Sequence, residues 1–454
     1  VNPLEAARGR HLERFEGFVR ARAEGEPAWL EALRQQALGI FAEQGLPSTR
    51  LEEWRYTSAA PLARIPFTLP EAPGRVGRDD LEALSSPVFA CSLFVFVDGR
   101  FDAGLSSAGA LAGGARLDDL ARLRREEPGL LEGHLGRLVD LKQHPFAALA
   151  TAFLDDGAVL HIPPGVRLDD PLHLVFVGTG GPQALEQHPR LLVRAEEGSR
   201  VTLIQDHVTL GGGPGLCNAV TEIDVGPNAR VDHVLLQREG PERFHVSNLQ
   251  ARVARDARLF VHTLTLGGAW TRNDLGVRLE DTGAECTLDG LFVGDDDQLI
   301  DNHTLVDHAV PHGTSQELYK GILGGKARGV FRGRVIVRPD AQQTRAQQSN
   351  PNLLLSDGAE VDTKPQLEIH ADDVRCSHGS AIGQVDPDAL FYLRARGIPE
   401  RRARDLLARG FACEITARLP SEALREVIDQ VVLDKLQGRG APAQRAEGER
   451  SHGS

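Results

Sequence analysis

The segment "DDVRCSHGSAIGQVDPDALFYLRARGI", Asp372 to Ile398, places a thiol and an imidazole two residues apart. If "QLEIHADDVRCSH" continues as a β-run, Cys376 and His378 point to the same face. A thiolate beside a neutral imidazole suits a soft or borderline metal such as iron or zinc. Two ligands make half of a tetrahedral site, so the others would come from elsewhere in the fold or from another chain. The competing reading is a buried free cysteine beside a hydrogen-bonded histidine.

Other stretches hold chemistry-bearing residues in weaker patterns. "DNHTLVDHAVPHGTSQELYKGIL" contains Asp301, His303, Asp307, His308 and His312. On a strand, His303 and His308 face opposite ways unless a bulge intervenes. Polar residues decorating turns are the simpler reading. "GDDDQLID" contains Asp295, Asp296 and Asp297. Paired carboxylates can bind calcium or serve acid–base chemistry, as in solenoid carbohydrate enzymes; an exposed acidic turn is the simpler account. The glycine-rich "TLGGGPGLCN" and "GILGGKARG" lack the GK[ST] that ends a phosphate-binding loop. No nucleotide-hydrolysing site is expected. No G-x-S-x-G elbow or C-x-x-C pair appears.

Those residues need a scaffold, and 454 residues with 41% hydrophobic content suffice for a large core and two or three structural units. A net charge of -13 argues against a general nucleic-acid binder, which needs a basic face. No segment approaches the length of a membrane span. The charged N-terminus has no apolar core of a signal peptide. The five cysteines, Cys91, Cys217, Cys286, Cys376 and Cys413, are odd in number and dispersed. That pattern fits reduced thiols in a cytoplasmic protein better than a disulfide framework.

The texture of the chain changes twice. "PAWLEALRQQALGIFAEQG" sets Trp29, Leu30, Leu33, Ala37 and Phe41 at helical spacing, with Gly45 and Pro47 at its stop. "CSLFVFVDGRFD" reads as a strand and turn. Residues 115–154 read as helical again, interrupted at Pro128. From about Ala158 helical periods vanish. "EGSRVTLI", "GPNARVDHV", "ARDARLFVH" and "DTGAECTLD" each give a small-residue turn and then a strand. Aligned, they bring Val201, Val231, Leu259 and Cys286 into correspondence, in steps of roughly 30 residues that suggest a solenoid. A β-sandwich is the alternative. Near the end, Asp386 and Pro387 open a helix that stops at Gly397. Pro399 opens a second, closed by Gly410. A third, "PSEALREVIDQVVLDKLQ", sets Leu424, Val427, Ile428, Val431 and Leu436 on one side. The expected units are a mostly helical part (1–150), a parallel β-helix core (151–385), a helical part (386–437) and a disordered tail (438–454).

Longer motifs carry a resemblance. "DNHTLVDHAVPHGTSQELYKGIL", "AQQTRAQQSNPNLLLSDGAEVDTKPQLEIHADDVRCSHG", "LFYLRARGI" and "GLPSTRLEEWRYT" are similar to the SufB/SufD family of the SUF iron–sulfur cluster assembly machinery. The resemblance spans nearly the whole chain. It implies a right-handed parallel β-helix between helical ends, the handedness resting on the family alone. It also implies a non-catalytic scaffold subunit. Such a subunit pairs with its SufB-like paralogue through the β-helix and carries the SufC-like ATPase on its C-terminal helices. A nascent iron–sulfur cluster then forms transiently near the pairing surface. His378 matches the family's functional histidine, a metal ligand, and Cys376 the neighbouring cysteine. Gly379 follows the histidine where SufB-type chains carry a glutamate, so the motif is of the SufD style. A SufB-type chain, a solenoid carbohydrate enzyme using Asp295–Asp297 or Asp301, and a stand-alone metalloenzyme using His303, His308 and His312 are the alternatives. Whether a flavin also binds is left open. Cys286 reads as core and Cys413 as packing, while Cys91 and Cys217 lie outside the strongest motifs.

Overall fold

The computed structural model describes residues 2–22, 25–84, 92–107 and 109–438. Cys91 and the expected tail beyond Gly438 lie outside them. The chain opens with a helix over Pro3–Arg20, capped by Asn2, whose side chain accepts from the Leu4 backbone amide. The helix Ala28–Gln44 follows. Its buried stripe is Leu30, Ala37 and Phe41, all 0% exposed, with Trp29 and Leu33 half-buried beside it.

From Gly157 to Gln384 the chain winds a parallel β-solenoid of about eight turns. Each turn lays one strand in each of two ten-stranded sheets. The repeat read from the sequence is the physical register. Val231 pairs with Val201 on one side and Leu259 on the other, and Leu259 pairs with Cys286. This file continues through Ser315 and Ala346 to Cys376. Because side chains alternate along a strand, every second residue enters the lumen. There Val201, Val231, Leu259 and Cys286 form one apolar cluster with Ile223, Ala251 and Val277 of the opposite sheet.

The helical parts cover the outer faces. Ala7, Phe15, Phe41, Trp54 and Phe146 pack on Leu216, Val220, Phe244 and Trp270 of one sheet. On the other, Ile204, Val234, Leu236 and Leu264 lie under Ala408, Ala412, Ile415, Leu424 and Ile428. None of the described helices is long and apolar enough to cross a membrane.

Two expectations change. Residues 115–154 are not one interrupted helix. Arg116–Asp119 is a strand, antiparallel to Gly157–Ile162. Leu120–Glu126 and Pro145–Ala152 are short helices. Between them Gly133 and Gly136 take positive φ, which breaks any helical run. The strand and turn read in "CSLFVFVDGRFD" are present as Ser92–Val97, parallel to Leu172–Thr179 and turning into Arg100–Phe101. Finally, Gly410 does not close its helix, which runs Glu400–Thr416. Burial of Ala408, Ala412 and Ile415 on the sheet outweighs the ~1 kcal/mol that glycine costs a helix.

The lumen also holds polar groups. Glu317 is 4% exposed. Burial pushes its carboxyl up to about 7, although the Gln348 amide donates to it at 2.5 Å. A carboxyl raised in the folded state binds more protons there than in the unfolded chain. Its contribution to stability is therefore lost as pH rises from the unfolded value near 4.5 through about 7. Glu317→Gln should raise stability at pH 8 by on the order of 3 kcal/mol relative to the parent, with the gain vanishing below about pH 4. Denaturant unfolding at the two pH values measures it; a gain larger in acid would contradict this account.

Candidate functional site

Cys376 and His378 lie on the strand Arg375–Gln384, the last of its sheet. Their register partners on the preceding rung are Ala346 and Gln348. Both therefore occupy lumen-facing files, but no further coil covers them. His378 is exposed and Cys376 half-buried. Partial burial pushes the Cys376 thiol up, so it needs a metal or a base to become a thiolate. The companion sheet ends on Glu360–Ile369. Its Ile369 is 41% exposed, and Ile382 beside the site is 52% exposed. Among the described residues no third histidine, cysteine or carboxylate joins this pair within ligand distance. Cys376 and His378 thus share one face of a strand, as their spacing predicted, and that strand is an open edge.

The other candidates separate. His303 and His308 face opposite sides of the strand Leu299–His308. His308 turns inward, with Nε2 2.8 Å from the Ser315 hydroxyl. His303 turns outward, with Nε2 2.9 Å from Asp301 Oδ1. His312 sits in the turn with positive φ. These three do not form a metal site.

Asp301 is itself fully buried. Burial alone would raise its carboxyl, but His303 and the Arg272 guanidinium hold it at about 2. Burial and Arg272 oppose protonation of His303, yet Asp301 and Glu53 leave its imidazole above its usual value. Arg272 donates to Asp301 and Asp274, each at 2.8 Å, and lies 3.8 Å over the Trp54 ring. Glu53, Trp54, Arg272, Asp274 and His303 border a cavity of about 230 Å³ between the N-terminal segment and the solenoid. A carboxylate so buried and ion-paired is not a free acid–base group in an open groove. Asp296 occupies a tight turn with positive φ, next to Asp295 and the half-buried Lys435.

One cluster escaped the reading of the sequence. His207, Cys217 and His245 bring one donor atom each within 4.8 Å of one another inside the solenoid. A signal for it existed. His245 follows Cys217 by the same 28-residue step that links Val231 to Leu259. Cys286 is buried in the apolar lumen, as expected, and Cys413 lies half-buried on the helix Glu400–Thr416.

Comparison with known proteins agrees with the motifs. Residues 176–411 match the family described as SUF system FeS cluster assembly, SufBD core domain. Residues 8–174 match the SufBD protein N-terminal region. An iron–sulfur cluster assembly SufBD family protein of Synechocystis is 33% identical, across 89% of this chain and 88% of its own. The iron–sulfur cluster assembly proteins SufD of Escherichia coli and Bacillus subtilis are 31% and 27% identical. The alignments span 89% and 90% of this chain, and 92% and 95% of theirs. Fold and similarity together define a β-solenoid protein of iron–sulfur cluster assembly. The chain belongs to the SufBD family of the SUF system.

Proposed function

We propose that this chain is a SufD-type scaffold subunit, without catalysis of its own. In this reading it pairs with a SufB-like paralogue through the open end of its solenoid and carries a SufC-like ATPase on its C-terminal helices. His378 and Cys376 supply its share of the site where a nascent cluster, the cargo of the assembly, is built. The observation that carries this reading is the uncovered last rung. A solenoid end left bare exposes strand edges and lumen-type residues, here Cys376, His378 and Ile382, which soluble proteins normally cover. A second chain at that end would supply the missing ligands and the missing cover together. The glycine after His378 and the SufD names of two relatives favour the SufD type over the SufB type.

Exposed aromatic side chains support the ATPase surface. Phe391 is 73% and Tyr392 56% exposed on the helix Pro387–Ala395. Aromatic anchors of this kind are over-represented where partners bind. Removing the C-terminal helices would be a poor test, because it strips Leu236 and Leu264 of their cover. The double replacement Phe391→Ala and Tyr392→Ala leaves that packing intact. It should weaken capture of the SufC-like ATPase by about tenfold or more, while changing stability by no more than ~0.5 kcal/mol. Co-purification of all three subunits tests the whole reading; unchanged capture by the double variant would remove this surface from it.

A further inference from the structure

Inside the solenoid, six strands from the open end, two sheets meet across a small set of metal-binding side chains. His207 belongs to the strand Arg200–Leu210 of the sheet that ends at His378. Cys217 and His245 are register partners on Gly215–Val225 and Arg243–Val253 of the opposite sheet. None is more than 1% exposed. Cys217 Sγ lies 3.5 Å from His207 Nδ1. The two imidazole rings stand edge to face, their centroids 4.8 Å apart.

Each ring is held through its other nitrogen. His245 Nδ1 is 2.6 Å from Glu239 Oε2. A carboxylate there accepts a hydrogen bond from Nδ1–H, which keeps the proton on Nδ1 and leaves Nε2 as a bare lone pair. That Nε2 is buried without a hydrogen-bond partner. An imidazole locked by a carboxylate, with its second nitrogen free, is the habit of metal-ligating histidines. His207 Nε2 lies 3.0 Å from the Gln205 amide. A half-turn of that amide lets its oxygen accept from Nε2–H and frees Nδ1 as a ligand. The amide nitrogen would then face Thr221 and His233, both able to accept.

We propose that His207, Cys217 and His245 hold one resident thiophilic d10 cation, Zn²⁺ or Cu⁺, which clips the two sheets together. Ligands around such an ion stand ~3.5 Å apart, so the observed spacing closes with side-chain shifts of about an ångström. Binding forms a metal–sulfur bond and releases the thiol proton to solvent, with no change of oxidation state. Cys217 as thiolate and Glu239 are negative, and the neighbouring Arg243 offsets one of those charges. A monovalent ion leaves the group neutral and a divalent ion leaves it singly positive. This site is distinct from the one proposed at His378, about 29 Å away at ~4.8 Å per strand.

The test is metal analysis of the full chain, purified without chelator, for zinc, copper and iron together. About one zinc or copper per chain is expected. Cys217→Ser and His245→Gln should each drop it to about a tenth or less, and His378→Ala should leave it unchanged. Cobalt(II) in place of zinc should give a thiolate charge-transfer band that Cys217→Ser abolishes. Glu239→Gln keeps all three donors and should weaken metal affinity 10- to 100-fold, so it decides the matter if the ligand variants fail to fold. A parent chain with no zinc or copper after incubation with Zn²⁺, and anaerobically with Cu⁺, overturns the proposal. So does iron in their place, or a metal content indifferent to Cys217→Ser and Glu239→Gln. Loss of metal in His378→Ala would place the ion at the open edge and overturn it as well.

Discussion

A complex carrying His378→Ala should assemble and hydrolyse ATP at the parent rate yet hold about a tenth or less of the parent's iron and sulfide. The imidazole is exposed on a terminal strand, so truncating it removes little buried surface and should shift stability by no more than ~0.5 kcal/mol. A ligand to a transient cluster behaves differently. Its loss leaves a coordination position open, and thiolates and imidazoles are the groups that fill such positions. Subunit ratio, ATPase rate, iron and sulfide need measuring on one preparation. Cluster loss that tracks loss of assembled complex would indicate a packing role. A full cluster load would end the assignment of His378. Cys376→Ser should be milder, because partial burial pushes that thiol up and keeps it protonated.

Arg272→Ala should cost the fold on the order of 4 kcal/mol. Arg272 is 2% exposed and ties the N-terminal segment to the solenoid. It donates to the Glu53 carbonyl at 2.9 Å and covers the face of Trp54, while pairing with Asp274 and Asp301. Its removal leaves the half-buried Asp274 without its guanidinium and the buried Asp301 with only His303 and the Thr57 hydroxyl, and a buried charge that loses its partner is far costlier than a missing pair. Asp301, held at about 2 by His303 and Arg272 against burial, adds stability that is present above the unfolded carboxylate value and lost only as pH falls through about 2. In the variant His303 alone supplies the opposite charge, so that protection weakens and acid unfolding should begin at higher pH. Denaturant midpoints at pH 7 and pH 4 measure both effects. Arg272→Lys should recover only part of the loss, since an ammonium cannot fork to two carboxylates while stacking on the indole. A loss below about 1 kcal/mol would refute this role.

The solenoid was legible because its physics is periodic. Once Val201, Val231, Leu259 and Cys286 are aligned, the ladder follows, since each coil must place the same kind of residue in the same file. The Cys376–His378 pair was legible because i and i+2 share a face of any strand. The misread stretches lack such constraint. Arg116–Asp119 becomes a strand because Gly157–Ile162 offers it an edge, which no local pattern announces. The helix through Gly410 is set by a sheet surface built some hundred residues earlier. His207, Cys217 and His245 went unnoticed for a different reason. They lie on three strands in two sheets, and spacing along one strand cannot reveal a meeting across the lumen.

The two ends of the solenoid are unequal, and this has a mechanical meaning. At the start, the two sheets end on short antiparallel strands, Arg100–Phe101 of two residues and Arg116–Asp119 of four. At the finish, the ten-residue parallel strands Glu360–Ile369 and Arg375–Gln384 are each left with a full-length edge bare. In a linear array each coil draws its stability from the coils that flank it, so resistance to opening falls toward the unsealed end. The donor pair therefore rides on the softest rung of an otherwise stiff rod. Ligand geometry there is adjustable until another surface seals the array, and sealing would convert a fraying terminus into an interior coil. Affinity for whatever seals it must then include the work of ordering that rung, a coupling that favours ready release over permanent attachment.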